Sequence, residues 1–188
     1  MRSQVTRVML FNKQTSIYTL SAETGYKWTS HPLSTADPSD LHDCPTEYPK
    51  NVQVSPTEWL FFGGGLPDLT ASDLVTHLDT NSHRLTKLTQ MPDGGERLAH
   101  QVIFVPETKE AVKGSVYILG GVKGYLLEAH TTNYKYDIAS SSFKELPDWN
   151  SQQNSFNLLP LNHNRYILVV SDRPYLFDTE TEQWIELQ

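Results

Sequence analysis

Apolar residues in this chain arrive in short runs that stop at glycine. In "SVYILGGVKG", residues 115–124, Val116, Tyr117 and Ile118 are β-branched or aromatic, so the run predicts a strand that ends at Gly120 and Gly121. It has no polar alternation, and such a strand must be covered on both faces. "EWLFFGGG", residues 58–65, repeats the pattern. After each glycine cluster, and once more near the C-terminus, comes a hairpin signature: "LVTHLDTNSHRLTKLTQMP" (74–92), "YKYDIASSSFKELP" (134–147) and "YLFDTETEQWIEL" (175–187). Asp and Ser clusters supply the turns between strand-like pieces.

In these hairpins an Asp precedes a bulky apolar residue by six positions: Asp79 and Leu85, Asp137 and Phe143, Asp178 and Trp184. "YTLSAETGYKW" keeps the interval from Ala22 to Trp28 with alanine in place of the acid. The copies start at 22, 79, 137 and 178, intervals of 57, 58 and 41 residues. A period of about 40 to 50 with insertions is that of propeller blades.

The remaining strands align on this repeat. The third copy reads "HQVIFVP", "SVYILGG", "TNYKYD" and "FKELP", and the fourth "SFNLLPL", "RYILVVS", "PYLFD" and "QWIEL". In the second, "NVQVSP" precedes "EWLFFGGG"; the first is shorter, with "RVMLF", "SIYTL" and "YKWTS" as strands two to four. A helix over 70–78, capped by Ser72 with Leu74, Val75 and Leu78 on one face, is the rival for "TASDLVTHL". The match to strand three of the other copies favours a strand. Residues 29–50, rich in Pro, Ser and Asp, read as an elaborated loop between the first two copies.

Composition narrows the class. With 188 residues, 38% hydrophobic and 20% charged, and with 4 Trp, 9 Tyr and 7 Phe, the chain fits one folded domain. A net charge of −7 disfavours nonspecific binding to nucleic acid or to an anionic membrane. Cys44 is the only cysteine, so no intrachain disulfide forms, as suits a reducing compartment. The N-terminus lacks the apolar run of a signal peptide and no segment approaches a membrane span, so the expected location is cytoplasmic.

The order of apolar strand, Gly-Gly, polar loop, a strand ending in Tyr-Asp or Phe-Asp, and an aromatic six residues later resembles the kelch repeat. The likeness covers nearly the whole chain and is fullest in the third copy, at Gly120, Gly121, Tyr136 and Asp137, with Phe143 where tryptophan is usual. The second copy has Leu85 there, and the first and fourth lack the glycine pair. The resemblance implies an all-β, kelch-like β-propeller of about four blades, mostly of four antiparallel strands. The blades would span 4–33, 50–92, 97–148 and 153–188, with 34–49 inserted. Such propellers usually have six or seven blades, so this would be an arc of a larger ring. An arc needs further blades, self-association or a covering partner. Trp184 and Trp28 are expected between blades, where full burial would make truncation cost roughly 3 to 5 kcal/mol.

Candidate chemistry is sparse. His42, Asp43 and Cys44 adjoin, with His31 as the other nearby donor, but a metal needs three or four convergent ligands. Solvated loop residues are the plainer reading, and no metal or cofactor is expected. "SAETGYKW" resembles the Asp-box turn of sialidase propellers, itself a structural motif, with Glu23 at the aspartate position. No nucleophile elbow accompanies the scattered Ser, His and Asp. Some kelch-like propellers are copper oxidases with a Tyr-Cys crosslink, but no matching ligand set surrounds Cys44. "GGERLAH" reads as a turn before a strand rather than an anion nest.

The function expected is that of a non-catalytic protein-interaction scaffold or adaptor. The alternative is a carbohydrate-active or galactose-oxidase-like propeller enzyme. In a four-stranded antiparallel blade, the loops from strand two to three and from four to the next blade emerge at one end. Kelch-like propellers commonly bind partner proteins there. On that end the expected exposed contacts are Asp68, Arg97, Lys123, Tyr125, Trp149 and Arg173; Tyr, Trp and Arg are favoured as interface anchors. Residues 30–50 carry Asp37, Asp40, Asp43 and Glu47 against Lys50, a charge of −3 that would steer a basic partner.

Overall fold

The computed structural model describes residues 8–12, 16–21, 27–35, 49–66, 68, 70–92, 94–107, 114–124, 128–148, 157–162, 165–170 and 173–187. They form β-sheets and no helix. The first sheet holds β1 (Val8–Asn12), β2 (Ser16–Ser21) and β3 (Lys27–Pro32). The second holds β4 (Lys50–Gln53), β5 (Glu58–Phe62), β6 (Leu74–Asp79) and β7 (Arg84–Gln90). In the third, β8 (Gln101–Pro106) and β9 (Gly114–Leu119) are followed by a short hairpin of β10 (Val122–Lys123) and β11 (Glu128–Ala129). Then come β12 (Asn133–Asp137) and β13 (Ser142–Leu146), giving the order β13-β12-β9-β8. The fourth is β14 (Asn157–Pro160), β15 (Arg165–Val170), β16 (Arg173–Asp178) and β17 (Gln183–Glu186). Every pairing in these four sheets is antiparallel between neighbours in the meander, as the repeat predicts.

The unbroken apolar runs are explained by burial on both faces. Along β9, Val116 and Ile118 enter the core shared with the second sheet, where Leu60, Phe62 and Val75 meet them. The alternate residues Tyr117 and Leu119 enter the core shared with the fourth sheet, beside Phe177. β5 behaves likewise: Leu60 and Phe62 face the third sheet, and Phe61 faces Leu33 at the end of the first. With a side-chain period of two, each central strand holds its sheet against two neighbours. Tyr117 adds a hydrogen bond from its hydroxyl to the Thr179 carbonyl across 3.0 Å.

The recurring Asp is a turn device. Asp79 accepts from the Asn81 amide at 2.8 Å and the Ser82 hydroxyl at 2.7 Å. Asp137 accepts from the Ser140 hydroxyl at 2.6 Å and its amide at 2.7 Å. Asp178 accepts from Arg165 Nε at 3.0 Å and the Glu180 amide at 2.9 Å. Each turn closes in the left-handed region, at His83 (φ 54), Ser141 (φ 52) and Glu182 (φ 57). The carboxylate satisfies amides that the turn leaves without a strand partner.

One expectation holds against its rival and three change. Residues 74–79 are strand, so the rival helix falls; Ser72 Oγ accepts from the Leu74 amide without starting a helix. The loop expected over 29–50 begins later, since β3 runs to Pro32 and Ser34 bridges Arg84. In the first sheet Ser21 pairs with Lys27, as Asp137 pairs with Ser142. Ser21, seven residues before Trp28, therefore occupies the acid's place rather than Ala22. Trp28 itself is 48% exposed rather than buried, because among the described residues no sheet packs on its face. Trp184, by contrast, is half-buried against Phe177, ring centroids 4.5 Å apart.

Candidate functional site

The glycine pairs sit where three chain segments cross. Gly64 donates to the Arg97 carbonyl at 2.9 Å, and the Arg97 amide donates to the Ser72 carbonyl at 3.1 Å. Leu98 and Val122 exchange amide bonds of 2.9 Å, and the His130 amide reaches the Gly121 carbonyl at 2.8 Å. The β5–β6 loop, the segment leading into β8 and the β9–β12 connection are thereby sewn together at one end of the second and third sheets. A Cβ on Gly63 (φ +55) would lie 2.6 Å from the Arg97 carbonyl oxygen, and one on Gly121 (φ +101) 2.7 Å from that of Leu98. Only glycine combines that backbone angle with that closeness.

Arg97 is the centre of the junction, and here the structure corrects the sequence. Expected as an exposed anchor, it is 0% exposed. Its Nε donates to the Gly95 carbonyl at 2.9 Å, and Nη1 donates to those of Gly120 and Thr132, both at 3.1 Å. The guanidinium carbon stands 4.9 Å from the centroid of the Tyr134 ring, a cation–π contact. Burial pulls its pKa down to about 10, still far enough above neutrality to keep it a cation. Nearby, buried Asn133 accepts from the Gly120 amide at 2.8 Å and donates to the Thr131 carbonyl.

Two histidines complete the cluster. His130 Nε2 is 2.7 Å from the Glu96 carbonyl oxygen, which makes that nitrogen the donor; burial and the Arg97 charge lower its pKa to about 4. His100 is wholly buried and held well below the ordinary histidine value by burial first and by Arg97 next. Both rings are neutral at pH 7. The arrangement binds loops together, with His130 held to a backbone carbonyl. Residue order offered one hint of this, Arg97 and His100 lying just before an apolar strand.

The other expected contacts are distributed as follows. Asp68 is exposed in the β5–β6 loop, accepting from the Thr70 hydroxyl at 2.6 Å and amide at 3.0 Å, bonds that hold its carboxyl below the usual range. Lys123 is exposed in β10, its backbone opposite Glu128. Both therefore stand at the sewn end. Arg173 opens β16, opposite Val170. Tyr125 and Trp149 lie outside the described residues, as do His42, Asp43 and Cys44 and the acidic positions Asp37, Asp40 and Glu47. His31 stacks on His83 with ring centroids 4.3 Å apart. Among the described residues no three His, Cys, Asp or Glu side chains converge as a metal site.

One concavity, which the sequence did not announce, joins this end. A groove of about 840 Å³ runs between the β5–β6 loop and the last residues of β7, lined among others by Asp68, Asp73, Lys87 and Leu88. Leu88 is an exposed apolar side chain, and Gln90 reaches Asp73 Oδ1 at 3.4 Å. Its walls thus combine an apolar contact with charges of both signs, suited to a peptide or loop rather than to one small charged ligand. No helix among the described residues is long and apolar enough to cross a membrane. Compared with known proteins, the chain matches no family model and no curated protein.

Proposed function

We propose that this chain is a non-catalytic protein-interaction module, an arc of a kelch-like β-propeller that binds a partner protein with its glycine-loop end. The observation that carries this reading is the sewn loop end, where three connections from two sheets form one continuous surface beside the groove. The propeller reading is supported by four meandering sheets, of which the second, third and fourth stack face to face, and by the Asp turns these three share. A rigid scaffold with functional loops at one end is how such modules present a partner surface.

The test is capture of protein partners from cell extract on the immobilised chain. Asp68→Ala, Leu88→Ala, Trp149→Ala and Arg173→Ala are compared with Glu107→Ala, Lys109→Ala and Glu110→Ala, which lie in the sequence between β8 and β9. The expected result is that a partner retained by the native chain is lost or weakened by the first set and kept by the second. Loss with the second set and indifference to the first would reverse the assignment of the binding end.

A further inference from the structure

The junction at the loop end carries an uneven set of charges. Around His100 stand the cations Arg97 and Lys50 and the second histidine, His130; around His130 stand Arg97, Lys123 and one acid, Glu96. Tyr134 lies under the Arg97 guanidinium. Three fixed positive charges thus face a single carboxylate in the space the two imidazoles share.

His100 is the most confined of these groups. It sits between both glycine clusters: a Cβ on Gly63 would come within 3.1 Å of its Cε1, and one on Gly121 within 2.9 Å of its Cβ. It is wholly buried, and neither of its ring nitrogens makes a hydrogen bond; Nη2 of Arg97 likewise makes none. A neutral ring can be held in this way. An imidazolium would bring two N–H donors with nothing to receive them into a space of low dielectric that already holds a guanidinium. The Phe62 backbone favours the charged ring without making a regular hydrogen bond to it. The cores between the second, third and fourth sheets, by contrast, consist of apolar and aromatic side chains that take up no proton in acid.

We propose that Arg97, His100 and His130 form an acid-sensitive latch, closed while both imidazoles are neutral and opened, ahead of the sheets, when they take up protons. The segments it releases are the β5–β6 loop, the segment leading into β8 and the β9–β12 connection, whose mutual hydrogen bonds run through Arg97, Leu98, Val122 and Gly121. A histidine that binds its proton less tightly in the closed form supports closure at neutral pH and gives that support up as pH falls towards the closed-form value. With about 6.5 in the open chain and about 4 in the closed one, His130 alone multiplies the open fraction about twenty-fold between pH 7 and pH 5. His100 acts in the same direction. The latch belongs to the loop end whether or not a partner binds there.

Amide hydrogen exchange of the 188-residue chain at pH 7 and pH 5, corrected for the intrinsic rates, tests it. Protection of the Gly64, Leu98, Val122 and His130 amides should fall about twenty-fold or more, while amides at the centres of β5, β9 and β12 change by less than about threefold, and a return to pH 7 should restore both. His130→Gln keeps a donor for the Glu96 carbonyl and should lose about twenty-fold of the response. Ring resonances of His100 and His130 followed by NMR need no substitution: both rings should remain neutral at pH 7 and charge only as the junction amides lose protection. Junction amides that stay protected at pH 5, strand-centre amides that lose protection in step with them, an unchanged acid response in His130→Gln, or rings that charge while the junction stays closed would each overturn the latch.

Discussion

Arg97→Met removes the guanidinium but keeps an unbranched side chain of similar reach, and so asks what the buried cation contributes. Three carbonyls, those of Gly95, Gly120 and Thr132, lose their donor. A hydrogen bond from a charged donor contributes about 1.5 to 3 kcal/mol, and the contact with Tyr134 adds about 1 to 2 kcal/mol where it is desolvated. Against this, the variant no longer takes a charge out of water, which returns several kcal/mol. The net expectation is a loss of about 3 kcal/mol. With a urea dependence of about 2 kcal/mol per M, the unfolding midpoint read by tryptophan fluorescence falls by about 1.5 M. Arg97→Lys should lie between, since an ammonium keeps the charge but cannot match the three carbonyls with a planar fork. A methionine variant within about 0.5 kcal/mol of the native protein, as surface substitutions usually are, would refute the junction as a source of stability.

Gly63→Ala and Gly121→Ala should each cost more than about 2 kcal/mol in chemical denaturation, because left-handed strain adds to a backbone clash, whereas Gly94→Ala (φ +74), with open space around it, should cost only about 1 kcal/mol. Ser141→Gly relieves a left-handed residue in an exposed turn and should raise the melting temperature, by a net gain of about 0.5 kcal/mol, with the partner-capture pattern unchanged. Stability should fall on acidification from about pH 6.5 to about pH 4: His130 and His100 bind protons in the unfolded chain before they do so in the fold. For His130 alone this amounts to about 3 kcal/mol, levelling off below pH 4, and a His130→Gln chain should lose the corresponding part of the slope in pH-dependent urea titrations.

Much of the fold was legible in the chain because its signals are local. A run such as Val116 to Leu119 can be placed as a doubly covered strand from side-chain period and β-propensity alone, and both faces are indeed buried. The hairpins at Asp79, Asp137 and Asp178 were legible for the same reason, since a carboxylate caps amides two or three residues away. Where the turn was longer, in the first sheet, the six-residue interval misled by one position, because spacing in sequence does not fix strand register.

Tertiary structure decided what each surface meets. Arg97 follows glycines and an acid in what looks like a solvated turn, yet two of its carbonyl partners lie 23 and 35 residues further along, brought in only when the third sheet closes its own connection over it. The groove beside Leu88 likewise needs a loop and a strand end that are adjacent only after the second sheet folds. Trp28 and Trp184 follow their turns alike, and pattern treats them as equals. One is covered and the other open because burial belongs to the neighbouring sheet, not to the residue. Local hydrogen bonds and side-chain alternation are written in the order of residues; desolvation is settled by which distant segments arrive.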